Sequence, residues 1–304
     1  SWLQTSRSGR MREWRVHNHQ LANLKAIYPE RVRVYFPNRF SEQMMVLMTK
    51  SPPFPVAWIT GASTGIGRAL SLRLAAEGCT VIASARGIDD LKSLEQEGEN
   101  LAGRIVAIPL DVTDAAAIGQ ARDRILDEFG TPDLCVLNAG TYIPVDATRL
   151  KAEDFRIQFD LNVMGTVKML EAVIPGMVER KSGRIAVVAS ISGYRGLRTA
   201  SAYGATKAAL INMCEALRME LGDAGITVQL VNPGFVKTPL TDQNDFAMPF
   251  LMPVDKAVDQ FYRGLLTNRF EITFPKRFTW MLKFARLLPY ALYLPLINRT
   301  TKAD

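Results

Sequence analysis

Ser190, Tyr203 and Lys207 stand at spacings that could move a proton to or from an oxygen. A tyrosine and a lysine four residues apart on a helix share one face. An ammonium beside a phenol favours the phenolate, so the spacing predicts a Tyr203 hydroxyl whose pKa falls from roughly 10 toward neutral. Such a phenol gives and takes a proton at working pH. Ser190, thirteen residues before the tyrosine, could hold a carbonyl or alcohol oxygen. Ser192 is the neighbouring alternative, and the spacing together with Gly193 favours Ser190.

Upstream lies Thr60-Gly61-Ala62-Ser63-Thr64-Gly65-Ile66-Gly67, between a predicted strand and a predicted helix. Glycines there let the backbone approach a pyrophosphate, and the helix N-terminus turns N–H donors toward it. Gly61, Ser63, Thr64, Gly65, Ile66 and Gly67 are therefore candidate dinucleotide contacts. An acid closing the second strand would bond a ribose 2′-hydroxyl, whereas an arginine would take a 2′-phosphate. The chain has Ser84-Ala85-Arg86 and no acid before Asp89, which favours NADP(H), with NAD(H) as the alternative.

The elements that must carry these residues follow from periodicity. Val56–Thr60 reads as a buried strand and Gly65–Glu77 as a helix. Further strands are predicted at Thr80–Ser84, Ile105–Pro109, Leu134–Leu137, Arg184–Ala189, Thr227–Val231 and Phe270–Thr273. Helices are predicted at Asp89–Glu97, after Asp111–Asp114, at Ala152–Glu179, Ala202–Leu221 and Asp255–Leu266. Strands alternating with helices predict an α/β protein with a doubly wound parallel sheet of about seven strands.

With these motifs in order, the chain resembles a short-chain dehydrogenase/reductase of the compact single-domain branch. The resemblance covers about residues 55–275 and runs through Thr60–Gly67, Asp111-Val112, Asn138-Ala139-Gly140, Asn162, Ser190, Tyr203 to Lys207, and Pro233-Gly234 with Thr238. It implies a Rossmann-type fold and a nicotinamide cofactor. It implies that Tyr203 is the general acid/base, that Lys207 tunes it and holds the nicotinamide ribose, and that Ser190 positions the substrate oxygen. Asn162 would hold a water of the proton relay. Asp111 and Val112 would contact adenine; Asn138, Ala139 and Gly140 would border the cofactor, Pro233 and Gly234 would be further cofactor contacts, and Thr238 would approach the carboxamide. Leu137 stands where many relatives have a second asparagine, a mainly structural position. Relatives commonly form dimers or tetramers through the two long helices. A non-catalytic cofactor sensor or scaffold should have lost Tyr203 or Lys207, and both are present. An epimerase or dehydratase of the longer sister branch would need a larger C-terminal domain.

Substrate should meet the loops beyond the carboxyl ends of the later strands: Tyr142-Ile143-Pro144, Ile191–Thr199 and Pro239–Met252. The last holds Phe246, Met248, Phe250, Leu251 and Met252, an adaptable apolar set. The expected substrate is a small-molecule carbonyl or alcohol, apolar and of medium or large size. A 3-oxoacyl-carrier-protein reductase is the alternative.

The 304 residues carry a formal charge of +7, placed at the ends. Residues 1–50 hold nine Lys/Arg against three Asp/Glu, and residues 263–304 hold eight against two, which leaves the middle acidic. That distribution argues against a nucleic-acid partner and suits tails or an anionic membrane surface. Three scattered cysteines, Cys79, Cys135 and Cys214, suggest neither a disulfide framework nor a metal site, and point to a reducing compartment. The only histidines, His17 and His19, precede the glycine turn, so no histidine triad or histidine metal site is expected in the body. The expected setting is cytoplasmic, with peripheral membrane contact as a further option.

Three parts are expected: an N-terminal extension at 1–50, a dinucleotide-binding and catalytic domain at 51–275, and an apolar, basic extension at 276–304. Residues 1–50 show no sustained period and no secretory pattern, and translation is expected to start at Met44, Met45 or Met48. Phe278–Ile297 mixes aromatics and leucines with Lys283, Arg286, Pro289 and Pro295. It is expected to be peripheral rather than membrane-spanning, packed on the domain or another subunit, or lying on lipid.

Overall fold

A computed structural model describes residues 51–242 and 248–300. The expected N-terminal extension and Phe246 lie outside the described residues. Seven strands form one sheet: β1 Val56–Thr60, β2 Thr80–Ser84, β3 Arg104–Ala107, β4 Leu134–Leu137, β5 Gly183–Val188, β6 Ile226–Pro233 and β7 Glu271–Phe274. Their order is β3-β2-β1-β4-β5-β6-β7, and every pairing is parallel. The chain therefore moves outward from β1 to β3, then crosses to β4 and moves outward the other way. Adjacent strand ends diverge at that reversal, between β1 and β4, and open a crevice beyond their carboxyl ends.

Helices cover both faces: α1 Gly65–Ala76, α2 Ile88–Glu97, α3 Ala115–Phe129, α4 Ala152–Phe159, α5 Gly165–Arg180, α6 Ser201–Gly222 and α7 Val254–Leu265. Two further helices, α8 Lys276–Arg286 and α9 Tyr290–Thr300, follow the last strand. Strands buried on both faces must be apolar on both sides. Alternate residues of β1 accordingly feed two cores. Ala57 and Ile59 pack with Leu70, Leu74 and Phe261, while Trp58 packs with Ile125, Met169 and Val187. The indole of Trp58 donates to the Ser84 hydroxyl at 2.9 Å, so its buried polar edge is satisfied.

The unfinished helix start at Asp111–Asp114 resolves into α3. Asp114 caps it by accepting from Ala116 N at 2.9 Å and Ala117 N at 3.1 Å. The long helix expected from 152 to 179 is α4 and α5 joined through one π-helical turn, Asp160–Met164. The extra residue in that turn rotates Asn162 into the core, where it is fully buried. The continuous run 152–180 is long and apolar enough to cross a membrane by length and composition. Its Met169, Leu170, Val173 and Met177 are spent on the sheet instead.

Candidate active site

The glycine turn leaves β1 with Gly61 at φ 65° and Gly65 at φ 56°, conformations in which a side chain would be strained. A Cβ on Gly67 would fall 2.2 Å from the Gly61 carbonyl oxygen, and one on Gly61 would fall 2.9 Å from Ala139 Cα. The turn is thus folded against itself and against the end of β4. Asn138 fixes it there: its side-chain amide donates to the carbonyls of Thr60 at 3.1 Å and Gly61 at 3.0 Å. In return the Thr60 hydroxyl accepts the backbone N–H groups of Asn138 at 3.1 Å and Ala139 at 3.2 Å. These four bonds span the crevice where the strand order reverses. Thr64 caps α1 without a side-chain hydrogen bond, so the first N–H groups of that helix are not taken up by their own cap.

Around this turn the structure gathers the other expected cofactor contacts. Thr238 approaches Gly65 so closely that a Cβ there would sit 3.2 Å from its methyl group. Pro233 ends β6, and Gly234 donates to the Phe274 carbonyl at 2.7 Å. Asp111 accepts from Thr113 N and Oγ1 at 2.9 and 2.8 Å. The backbone bond from Thr113 holds its carboxyl below the usual carboxylate range, and the Arg86 and Lys168 charges add to this. Arg86 itself is exposed at the carboxyl end of β2, and Val112 packs against Gly165.

Ser190 follows β5 in extended backbone and accepts Ser192 N–H at 3.1 Å. Its side chain acts on Tyr203 of α6, lowering the phenol's pKa, so of the two serines it is Ser190 that meets the phenol. Gly193 lets the intervening turn lie on α6, since a Cβ there would be 2.6 Å from the Lys207 carbonyl carbon. Tyr142 closes the other side, its ring edge-on to that of Tyr203 at 5.2 Å. Lys207 is buried, donates to the Val188 carbonyl at 2.9 Å, and stands 5.5 Å from the centre of the Tyr203 ring.

These contacts correct the expected direction of the phenol's pKa. Burial pushes Tyr203 up to about 12, the Ser190 bond pulls it down, and Tyr142 raises it slightly further. Lys207 does not offset this, because its ammonium is turned to a carbonyl and is itself held down to about 8 by burial. Four-residue spacing brought the two side chains to one face. It could not reveal that both would be desolvated.

Asn162 is engaged on both sides of its amide. Its amide donates to Thr141 O at 2.9 Å and to Thr206 Oγ1 at 3.1 Å, and its Oδ1 accepts Thr141 N at 2.8 Å. The side chain thus fixes the β4 loop to α6. A Cβ on Gly140 would lie 3.1 Å from Asn162 Oδ1 and 3.5 Å from Lys207 Nζ, so that bare backbone forms a ledge over both. Bare glycine, an uncapped helix start and the ammonium beside the ledge fit a dinucleotide laid across the crevice.

Sequence reasoning did not single out Thr60 or Glu271. Thr60 ends an apolar strand, and a hydroxyl there was the available signal. Glu271, on β7, accepts from Tyr194 and from Asn232 at 2.8 Å, and is paired with Lys283. Burial opposes its charge, yet these bonds hold its carboxyl below the usual range. The last segment is also engaged with the loops expected to meet substrate. Arg195 donates to the carbonyls of Ala285, Arg286 and Leu288, and its guanidinium lies 4.0 Å from the Tyr293 ring centre. Phe278 stacks between Phe235 and Phe250, at 5.7 and 5.5 Å.

Residues 55–247 match the family model described as short chain dehydrogenase. The chain belongs to the short-chain dehydrogenase/reductase family of oxidoreductases, whose members bind nicotinamide cofactors and act on carbonyl and alcohol groups. It is 41% identical over 241 residues to an uncharacterized oxidoreductase of Myxococcus xanthus, covering 79% of this chain and 95% of that one. A 3-oxoacyl-[acyl-carrier-protein] reductase of Thermotoga maritima is 36% identical over 188 residues, covering 62% and 76%. Among solved structures, L-sorbose reductase from Gluconobacter frateurii, complexed with NADPH and L-sorbose, superposes with a TM-score of 0.65. It is 27% identical, over 72% of this chain and 94% of that one.

Proposed function

We propose that this chain is an NADP(H)-dependent reductase or dehydrogenase that interconverts a carbonyl and a secondary alcohol on a medium or large apolar substrate. The observation that carries the reading is the gathering of Ser190, Tyr203 and the buried Lys207 at the mouth of the switch-point crevice, with Lys207 Nζ 5.5 Å from the Tyr203 ring centre and Ser190 lowering the phenol's pKa. The cofactor, when bound, supplies or accepts the hydride. Gly61, Gly65, Gly67 and the first turn of α1 would hold its pyrophosphate. Gly140 and Lys207 would face its ribose, and Thr238 the carboxamide end.

Ser190 and Tyr203 hold the substrate oxygen between two hydroxyls. Tyr203 donates its proton to that oxygen in reduction and takes it back in oxidation. A phenol at about 12 is a competent donor but a poor base. In the oxidative direction Lys207 must therefore turn toward the phenol, where its charge favours the phenolate. Release from the Val188 carbonyl to face a ribose hydroxyl and Tyr203 is the motion this requires. Asn162 keeps the β4 loop and α6 at fixed separation throughout.

Exposed Arg86, close enough to act on Asp111, supports the NADP(H) preference, as does the NADPH named for the sorbose reductase. Apolar Phe250, Leu251 and Met252 on the loop after β6, with Phe250 and Leu251 exposed and Phe250 stacked on Phe278, support the substrate class. The Thermotoga relative favours a second reading, 3-oxoacyl-carrier-protein reduction. We also propose a cytoplasmic setting and a dimer or tetramer formed through the outer faces of α4 to α6, where Ile157, Met164, Val178 and Met219 are exposed. Turnover of a panel of ketones and alcohols of graded chain length, with NADPH and NADH, tests the assignment. Preference for small charged ketones would overturn the apolar substrate, and preference for NADH the cofactor. Activity confined to carrier-bound 3-oxoacyl chains would select the second reading.

A further inference from the structure

The C-terminal helices turn their apolar side outward. Trp280, Phe284 and Leu287 follow one another at helical spacing along α8 and are 70, 71 and 78% exposed. Tyr290 and Leu294 extend the surface on α9 at 72 and 59%. Phe278 and Thr279, on the other side of α8, are buried, as is Tyr293 on α9. With side chains of roughly 150–250 Å² each, these five exposed residues present on the order of 700 Å², above the ~300–600 Å² of the largest patch on a typical monomer.

The charges around it have one sign. Residues 276–300 contain five Lys/Arg and no Asp or Glu. Lys283 is spent on Glu271, while Lys276, Arg277, Arg286 and Arg299 are exposed on the same two helices. We infer that α8 and α9 dock this face on an anionic lipid surface, their aromatics and leucines at the acyl boundary and their cations among the headgroups.

The sign of the charge decides between occupants. A second copy related by a two-fold axis would set a cation-only face against itself. Residues 1–50, with nine Lys/Arg against three Asp/Glu, would do the same. An anionic bilayer complements the apolar and the charged parts together. Each helix has 11 residues, about 16 Å, against a hydrocarbon thickness of roughly 30 Å, so the pair lies on the bilayer and does not cross it. The attachment to the domain is firm. Arg195 binds three carbonyls at the end of α8, Tyr293 donates to Gly196 O at 3.1 Å, and Phe250 stacks on Phe278. Docking would therefore turn the loops at 191–199 and 250–252 toward the lipid. This surface stands independently of the substrate reading, since no residue of it belongs to the acid/base site.

Co-sedimentation of the full chain with vesicles tests it, comparing phosphatidylcholine alone with mixtures holding about 30% phosphatidylglycerol. The expected result is binding to the anionic vesicles only, weakened about tenfold or more by high salt. Trp280→Asp with Phe284→Asp should abolish binding. Arg277→Glu with Arg286→Glu should weaken it without touching the apolar face, which keeps the test valid if the first variant folds poorly. Absence of binding by the wild type, or unchanged binding by both variants, overturns the inference. A wild-type dimer that ignores vesicles and is split by the aspartate pair would show that a second copy covers the face.

Discussion

Lys207→Met should make the cofactor-free protein more stable while removing its activity, and the size of the effect follows from burial. The lysine titrates at about 8 in the folded chain against 10.5 when unfolded. At pH 7 the folded state therefore carries a charge it disfavours by roughly 3 kcal/mol. Methionine fills similar space without charge, but it leaves the Val188 carbonyl without its donor, which costs about 1–3 kcal/mol. The net expectation at pH 7 is a gain of about 1 kcal/mol, or roughly 2–4 °C in Tm. The pH dependence is the sharper measurement, because the carbonyl term does not titrate. Between pH 8 and 10.5 the unfolded lysine holds its proton while the folded one has lost it. Wild-type stability then rises with pH relative to the variant. Urea unfolding of both proteins from pH 7 to 10.5 should show the difference between them move by about 3 kcal/mol in favour of the wild type. A difference that stays flat across that range would refute the claim that Lys207 is held down by burial.

Tyr203→Phe should lower turnover by about a thousandfold or more and leave dinucleotide affinity within about threefold by calorimetry, since only the proton donor is removed. Wild-type turnover would exclude the phenol. Arg86→Asp should lower the ratio of kcat/KM for NADPH over NADH by about thirtyfold, equivalent to roughly 2 kcal/mol. An unchanged ratio counts against the phosphate contact. Gly67→Ala forces a Cβ to within 2.2 Å of the Gly61 carbonyl, so cofactor binding should fall about a hundredfold while circular dichroism stays near wild type. Full retention of affinity would show that the turn has room to yield.

The sheet was legible because seven short apolar runs alternate with helical periods, and both-sided burial leaves a strong mark on composition. Element ends moved by a residue or two, as at β6, which runs on to Pro233 to pair with Phe274. Ser190, Tyr203 and Lys207 were legible from spacing, because one helix face and one strand end bring them together. The direction of the Tyr203 pKa was not, because desolvation depends on what surrounds a side chain and not on what precedes it. The side-chain partners of Asn162 were not legible for a related reason. A π-helical turn leaves no clear trace in a sequence, yet that turn aims the amide at Thr141 and Thr206. Phe278–Ile297 read as one apolar segment. The fold breaks it at Leu287–Pro289 and buries Phe278 and Tyr293 while leaving Trp280 and Phe284 outside.

Two residues at the end of β5 serve both proton-handling side chains: the Val188 carbonyl holds Lys207, and two positions on, the Ser190 side chain meets Tyr203. Gly193 then seals the following turn against α6. The chain reaches for α8 and α9 between Ser190 and Tyr203, through Arg195 and Gly196. The same stretch returns to the site at Thr199, whose hydroxyl meets that of Tyr142, the ring packed against Tyr203. A displacement of the C-terminal helices would therefore pull on a tether anchored at one end by the serine and at the other by the phenol.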